Sequence, residues 1–243
     1  HLLKTDNVNR NDMLTTIAEL QIDAMVVIAF GQKLSNELIN AQRTMNLHAS
    51  LLPRWRGASP INAAVVNGDS TTGVSVITLA QEMDAGRILG QVETSIGETE
   101  TAGELHDRLS LLGPDLILEV LAGNDDGDLQ DESLVTYASK LSRNDALLDL
   151  TNDSETVART IRGLSPWPCC HLIICGVDCK ILRAISNTNS GVVGEVLENG
   201  SIATGTGSIE ILEMKPSGSK AMSWKDFCNG RSITSGCTCE VPE

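Results

Sequence analysis

The sequence predicts an α/β protein in two parts: a truncated, doubly wound, mostly parallel sheet, followed by a small antiparallel β-barrel. Three observations carry this. Strand and helix patterns alternate through roughly the first 120 residues, as in βα units around a parallel sheet. The run Ala24–Phe30 is apolar without a break, as in a strand buried on both faces. Beyond Tyr137, short strand-like runs recur at intervals of about ten residues with turn residues between them, the habit of a small barrel.

In chain order, Asn11 reads as the cap of a helix through Leu20, with Met13, Leu14, Ile17 and Ala18 on its apolar side. Ala24–Phe30 is the first strand, stopped by Gly31. A short helix is expected near Ser35–Asn40 and a second strand over Thr44–His48. Pro60 suits the first turn of a helix through Asn67, closed by Gly68, and Gly73–Leu79 is a third strand. Thr101 and Glu104 form a capping box. The helix after it buries Leu105, Leu109, Leu112, Leu116 and Val120 at helical spacing, with Gly113-Pro114 marking a kink. Only about three parallel strands are read, few for a doubly wound sheet, and the sequence opens on His1. The front of this domain is therefore expected to be missing, and the chain alone to be aggregation-prone and inactive.

Gly123–Glu132 is acidic and aperiodic and reads as a solvated linker. The expected division is 1–122, a linker over 123–136, and 137–243. In the last part Ser154 is expected to cap a helix to Arg162, ended by Pro166-Trp167-Pro168. Strands are expected over His171–Cys175, Lys180–Ile185, Val192–Leu197, Ser201–Thr204 and Ile209–Met214, with Gly205-Thr206-Gly207 as a hairpin turn. Ser223 with Asp226 caps a last helix ending at Gly230.

Composition limits the function. The chain has 18 Lys and Arg against 32 Asp and Glu, a formal net charge of −14, with 3 Trp, 1 Tyr and 2 Phe. Phosphate contacts need cations and base stacking needs aromatic rings, so a plain nucleic-acid-binding module is excluded, DNA included. An RNA partner would need a local basic patch. No apolar run reaches about 18 residues, so no membrane helix is read, and no secretory signal pattern opens the sequence. All seven cysteines lie from Cys169 onward. An odd number without a secretory context reads as structural or incidental thiols rather than a disulfide framework. A zinc site from Cys169, Cys170, His171, Cys175 and Cys179 lacks paired C-x-x-C spacing.

The chemistry concentrates at Asn46 and His48. In a strand, residues i and i+2 share a face, and in open α/β sheets ligands bind outside the carboxyl ends of strands. An amide donor beside an imidazole fits acyl transfer, one holding a developing oxyanion and the other moving a proton. A polar strand end bonded to the next loop accounts equally well for the spacing. Asp84, in Glu82-Met83-Asp84-Ala85-Gly86 after the next strand, either faces the same crevice and orients the imidazole, or closes an Asx-turn. Arg54 and Arg56 flank Trp55 and offer positive charge to an anionic substrate, or are ordinary surface.

Asn46-x-His48-x-Ser50-Leu51-Leu52-Pro53, followed by Arg54-Trp55-Arg56-Gly57 and downstream by Met83-Asp84-x-Gly86, strongly resembles the folate-dependent formyltransferases. Tyr137-Ala138-Ser139-Lys140, Pro166-Trp167-Pro168, Ile202–Gly205 and Lys220–Phe227 resemble the carboxyl-terminal barrel of the branch that formylates a charged tRNA. The resemblance covers nearly the whole chain. It implies a formyltransferase-like Rossmann domain and an OB-like barrel. It also implies formyl transfer from 10-formyltetrahydrofolate, with no metal, to the amino group of methionyl initiator tRNA for translation initiation in the cytoplasm. By this resemblance Asn46, His48 and Asp84 are the catalytic trio. Ser50, Leu51, Leu52 and Pro53 line the tetrahydrofolate site, and Gln32, Lys33 and Leu34 match the loop near the pterin. The barrel holds the tRNA, with Arg54, Arg56, Lys215, Lys220, Lys225 and Arg231 as contact candidates. Residues 144–243 carry 8 Lys and Arg against 12 Asp and Glu, a net of −4, so a basic face there has to be local. A monomer that engages no DNA and no membrane is expected. The alternatives are formyl transfer to an amino sugar on a nucleotide, and an inactive folate-binding fragment.

Overall fold

The structure is a computed structural model describing residues 2–124 and 126–242. His1, Glu243 and Asp125, the last within the expected linker, lie outside the described residues. The first stretch carries α1 (Asn11–Glu19), β1 (Ala24–Ile28), α2 (Asn36–Ala41), β2 (Arg43–His48), β3 (Arg56–Gly57), α3 (Pro60–Val66), β4 (Thr71–Thr78), β5 (Ile88–Ser95) and α4 (Ala102–Ala122). Beyond it come β6 (Tyr137–Ala138), α5 (Ser154–Gly163), β7 (Cys170–Ile174), β8 (Val177–Asn187), β9 (Ile202–Ala203), β10 (Ser208–Pro216), β11 (Met222–Ser223), α6 (Trp224–Arg231) and β12 (Cys239–Glu240). Two compact units result. One comprises residues up to Gly57, Gly73–Thr94 and Leu109–Tyr137; the other comprises Ala58–Thr72, Ser95–Arg108 and Ala138 onward.

In the first unit a four-stranded sheet runs in the order β1-β2-β4-β5. The βα connection through α2 makes β1 and β2 parallel, with Ala24 opposite Arg43 and Ile28 opposite Leu47. β4 then runs antiparallel to β2, His48 lying opposite Ser75. The parallel orientation expected of this third strand is thus corrected: the described sheet is mixed. β5 was not anticipated from the sequence, although Gln91, Glu93 and Ser95 are exposed at every second position with Val92 and Thr94 half-buried between them; Gly90 interrupts its apolar start. β1 is half-buried rather than enclosed, with Ile28 and Phe30 exposed, because it lies at the sheet edge. Val8, Leu34 and Leu38 form a buried cluster joined by Leu14, Ile17, Met25 and Val27. On α1 the cap position is Arg10, whose side chain does no capping, so Asn11 is the first helical residue instead. The carboxyl end of α4 has no basic residue of its own. Arg43 supplies one, donating to the carbonyls of Val120 (2.7 Å), Leu121 (3.2 Å) and Gly123 (2.9 Å) that the helix leaves unpaired.

The second unit centres on a sheet ordered β11-β10-β8-β7-β12, with β9 against β10. Its pairings are antiparallel, with a register shift between Ile211 and Met214 that bends β10. Leu172, Ile174, Ile181, Ile202, Ile209 and Met214 point inward against Val157, Ala158 and Ile161 of α5. Each fully buried aliphatic side chain there contributes roughly 1.5–3 kcal/mol. Asp153, not Ser154, caps α5, its carboxylate accepting from Thr156 N at 2.9 Å. Val192–Leu197 makes isolated bridges, Val196 to Ile202 and Glu195 to Thr238, in place of the expected strand. The Thr101–Glu104 box is present, Glu104 accepting from Thr101 N (3.0 Å) and Thr101 Oγ1 accepting from Glu104 N (3.3 Å). The reading of all seven cysteines as free thiols is corrected at one pair: Cys175 and Cys237 are joined, fastening the segment before β12 beside the β7–β8 turn. Among the described residues no helix is long and apolar enough to cross a membrane.

Candidate active site

The site stands at the carboxyl end of β2. Asn46 and His48 project from the same face of that strand, and His48 is its last residue. Asp84 arrives from the loop between β4 and β5 in a left-handed backbone conformation, φ 53°. Asn46 Nδ2 lies 3.4 Å from Asp84 Oδ1, and His48 Nδ1 lies 3.5 Å from Asp84 Oδ2. Three residues separated by up to 38 positions therefore converge, and the Asx-turn account of Asp84 gives way: its carboxylate accepts from Gly57 N at 2.8 Å and faces the imidazole.

His48 is 6% exposed, and its Nε2 sits 2.8 Å from the carbonyl oxygen of Trp55. A carbonyl can only accept, so Nε2 carries a proton, and Nδ1, on the Asp84 side, is the nitrogen left to gain or give up one. A proton taken up at Nδ1 is then held against the carboxylate. Asn46 is half-buried and keeps its second amide hydrogen for another acceptor. The group combines a hydrogen-bond donor, a base and a carboxylate that stabilises the base once it is protonated.

The chain after β2 folds back to build the rim. Ser50 Oγ donates to Arg54 O (2.5 Å) and Ser75 Oγ donates to Ser50 O (2.6 Å). Leu52 N donates to Ser75 Oγ (3.1 Å), and Gln91 Nε2 donates to Leu52 O (3.0 Å). Ser50 and Leu52 are buried, with Leu51 and Pro53 half-buried beside them. This turn delivers Trp55 O to His48, with Trp55 N bonded to Thr136 Oγ1 at 2.9 Å.

Other anticipated residues are placed differently. Arg56 is 2% exposed, against its expected role at the surface. Its Nε donates to Gln130 Oε1 (3.0 Å) and its terminal nitrogens to Glu132 (2.7 and 3.3 Å), because a buried guanidinium needs a partner for each face. Burial lowers its pKa, but the bonds and charge of Glu132, with Tyr137, outweigh this and raise it. Arg54 stays exposed, stacked over the Trp55 ring at 4.4 Å. Gln32 bonds Val8 N (2.9 Å) and Thr5 O (3.3 Å), Leu34 is buried with Val8, and Lys33 is exposed. These contacts secure the amino-terminal segment and bring none of the three to Asp84, although the parallel pairing leaves their loop at the same end of the sheet as His48. Lys215, Lys220, Lys225 and Arg231 are all exposed along β10, β11 and α6. The register also sets Lys180 of β8 beside Lys215, which the sequence did not single out. Gln130 and Glu132 were missed as well; both fall in the stretch read as a linker, where no motif or period marked them. Among the described residues no group of three or more His, Cys, Asp or Glu is arranged to hold a metal ion.

The chain matches the family model described as "Formyl transferase" over residues 2–121 and that described as "Formyl transferase, C-terminal domain" over residues 140–232. A methionyl-tRNA formyltransferase of Methylococcus capsulatus is 37% identical over 228 residues, covering 89% of this chain and 74% of that protein. One from Pseudomonas putida is 39% identical over 230 residues, covering 90% and 74%. Among solved structures, methionyl-tRNA formyltransferase from Clostridium thermocellum has a TM-score of 0.60 at 17% identity, covering 84% of each chain. HypX from Aquifex aeolicus in complex with tetrahydrofolic acid has a TM-score of 0.68 at 19% identity, covering 92% of this chain and 42% of that one. The two family matches follow one another along the sequence, with the convergent Asn46, His48 and Asp84 inside the first, and the chain belongs to the formyl transferase family.

Proposed function

We propose that this chain transfers a formyl group from 10-formyltetrahydrofolate to the α-amino group of methionyl initiator tRNA, for translation initiation in the cytoplasm. The observation that carries the reading is the convergence of Asn46, His48 and Asp84 at one strand end, in a chain whose relatives at 37–39% identity are methionyl-tRNA formyltransferases. The donor set fits a folate-borne formyl group. Asn46 Nδ2 donates to the formyl oxygen as it takes on negative charge, which a positioned donor in a partly dry site stabilises. His48 Nδ1 accepts the proton that leaves the attacking amine as the new C–N bond forms. Asp84 holds the resulting imidazolium, and the same proton passes to N10 of the folate as the old C–N10 bond breaks. Ser50, Leu51, Leu52 and Pro53 line the folate side.

Lys215, Lys220, Lys225 and Arg231, with Lys180 beside Lys215, supply the local positive surface that an otherwise acidic barrel needs for an RNA backbone. Arg54 remains a candidate contact, and Arg56 is withdrawn from that role by its burial. The test is mass detection of formylated product with methionyl initiator tRNA and, in parallel, with nucleotide-linked amino sugars. Product on the tRNA alone is expected; product on the sugar alone would overturn the reading.

A further inference from the structure

The stretch after α4 carries a residue that works on Asp84. Gln130 Nε2 donates to the backbone carbonyls of both Asp84 and Gly86, each at 2.7 Å, and its Oε1 accepts from Arg56 Nε at 3.0 Å. Both N–H donors and the carbonyl oxygen of one amide are thus engaged, the two donors on the loop that presents the carboxylate. Arg56 is pinned in turn by Glu132 through its terminal nitrogens and by Thr136 O through its backbone N–H (2.9 Å). The next residue, Gly57, donates its N–H to Asp84 Oδ2 at 2.8 Å. Asp84 is therefore gripped from both sides: its backbone by Gln130, its side chain by Gly57, and the two grips are tied together through Arg56. The grip answers a need, because Asp84 sits at φ 53°, a left-handed conformation that Asp adopts more readily than most residues but still at a cost its surroundings offset.

We infer that Gln130 is a positioning residue for formyl transfer, clamped by the Arg56–Glu132 pair, and that it sets the distance from the Asp84 carboxylate to His48 and Asn46. A glutamine is the side chain the place calls for. Glutamate at the same length presents acceptors to two carbonyl oxygens, and alanine presents nothing. The inference rests on the reading of Asp84 as a catalytic group, so the experiment separates the two.

Steady-state formyl transfer is measured in the whole gene product for Gln130→Ala, Gln130→Glu, Asp84→Asn and the double variant Asp84→Asn/Gln130→Ala. Displacing a reacting group by an ångström costs on the order of 10²-fold. Gln130→Ala is therefore expected to lower kcat by about 10-fold or more, with the KM for the folate donor held within about threefold. Gln130→Glu keeps the length and the Arg56 partner, so it reports the same loss should the alanine variant fold poorly. The decisive readout is the double variant. If Gln130 acts through Asp84, kcat falls less than about twofold below that of Asp84→Asn alone, whereas a general structural role adds its full loss in both backgrounds. Wild-type kcat in both Gln130 variants, or the full extra loss in the Asp84→Asn background, overturns the inference. Wild-type kcat in Asp84→Asn instead overturns the underlying assignment of Asp84.

Discussion

The backbone carbonyl of Trp55 lies 2.8 Å from His48 Nε2 and so decides which imidazole nitrogen is left to face Asp84. A main-chain acceptor cannot be titrated away, and it keeps the proton on Nε2. Nδ1 is left as the basic atom, 3.5 Å from the Asp84 carboxylate. The Ser50–Trp55 turn is thus part of the proposed acid–base apparatus as well as a wall of the proposed folate site, and its bonds to Ser75 and Gln91 serve to keep Trp55 O in place.

Replacing His48 by alanine removes the atom proposed to take the proton from the attacking amine. General-base contributions run to about 10²–10⁴-fold, and a loss of kcat on that scale is expected. His48 touches Trp55 O and Asp84 at the carboxyl end of β2 and belongs to neither of the buried clusters described above, so the circular dichroism spectrum should be unchanged. Turnover like that of the wild type would remove His48 from the mechanism.

Asp84→Asn keeps the shape and the acceptor for Gly57 N while removing the charge that faces Nδ1. Turnover is expected to drop strongly, with folate affinity by direct titration changing far less. A variant that loses folate binding but keeps its rate would make Asp84 a ligand contact instead.

Much of this site was legible in the sequence because it rests on local chemistry. Two positions apart in a strand means one face, so Asn46 and His48 could be paired before their strand was seen. Asp84 needed the resemblance, since loop residues carry no period. The apolar run of β1 announced a strand, but the parallel pairing of β1 with β2 and the reversed β4 are tertiary facts that hydrophobic pattern does not encode. Arg56 misled for a related reason: an arginine in a turn, one residue from another arginine, reads as surface, and only its distant partners Gln130 and Glu132 make burial affordable. Those partners lay in a stretch whose acidity and lack of period marked it as solvated. A hydrogen bond spanning 74 residues leaves no trace in either property.

Stability at low pH should respond to Glu100. Burial pushes its carboxyl up, but the paired bonds from Arg108 (both 2.9 Å), the Gly97 N–H and the Arg108 charge outweigh that, and the folded pKa lies below the ordinary 4.5. A depressed carboxylate stabilises the fold above its unfolded value and loses that contribution as pH falls through the folded one. Thermal midpoints of wild type and Glu100→Gln should therefore differ most above about pH 4.5 and converge below it. A difference that stays constant between pH 7 and pH 3 would show that the Arg108 pairing is not its source.

Gly86→Ala tests how tightly the Asp84 loop is seated. A Cβ at Gly86 would run into the carbonyl oxygen of Thr78, a clash no side-chain rotation relieves because the obstacle is backbone. Thr78 is itself fixed, its N–H donating to Arg87 O and its Oγ1 accepting from Arg87 N, both at 2.9 Å. The loop has to move, and Gly86 O is one of the two carbonyls that Gln130 holds. Overpacking of this kind costs about 1–3 kcal/mol, so a lower thermal midpoint is expected. The displaced Asp84 should also lower kcat by more than tenfold, a scale set by the roughly 10²-fold cost of ångström misplacement. Retention of wild-type kcat alongside a lowered midpoint would mean that the loop gives way without carrying Asp84 with it, and that the grip on Asp84 lies at Gly57 rather than at the Gly86 end.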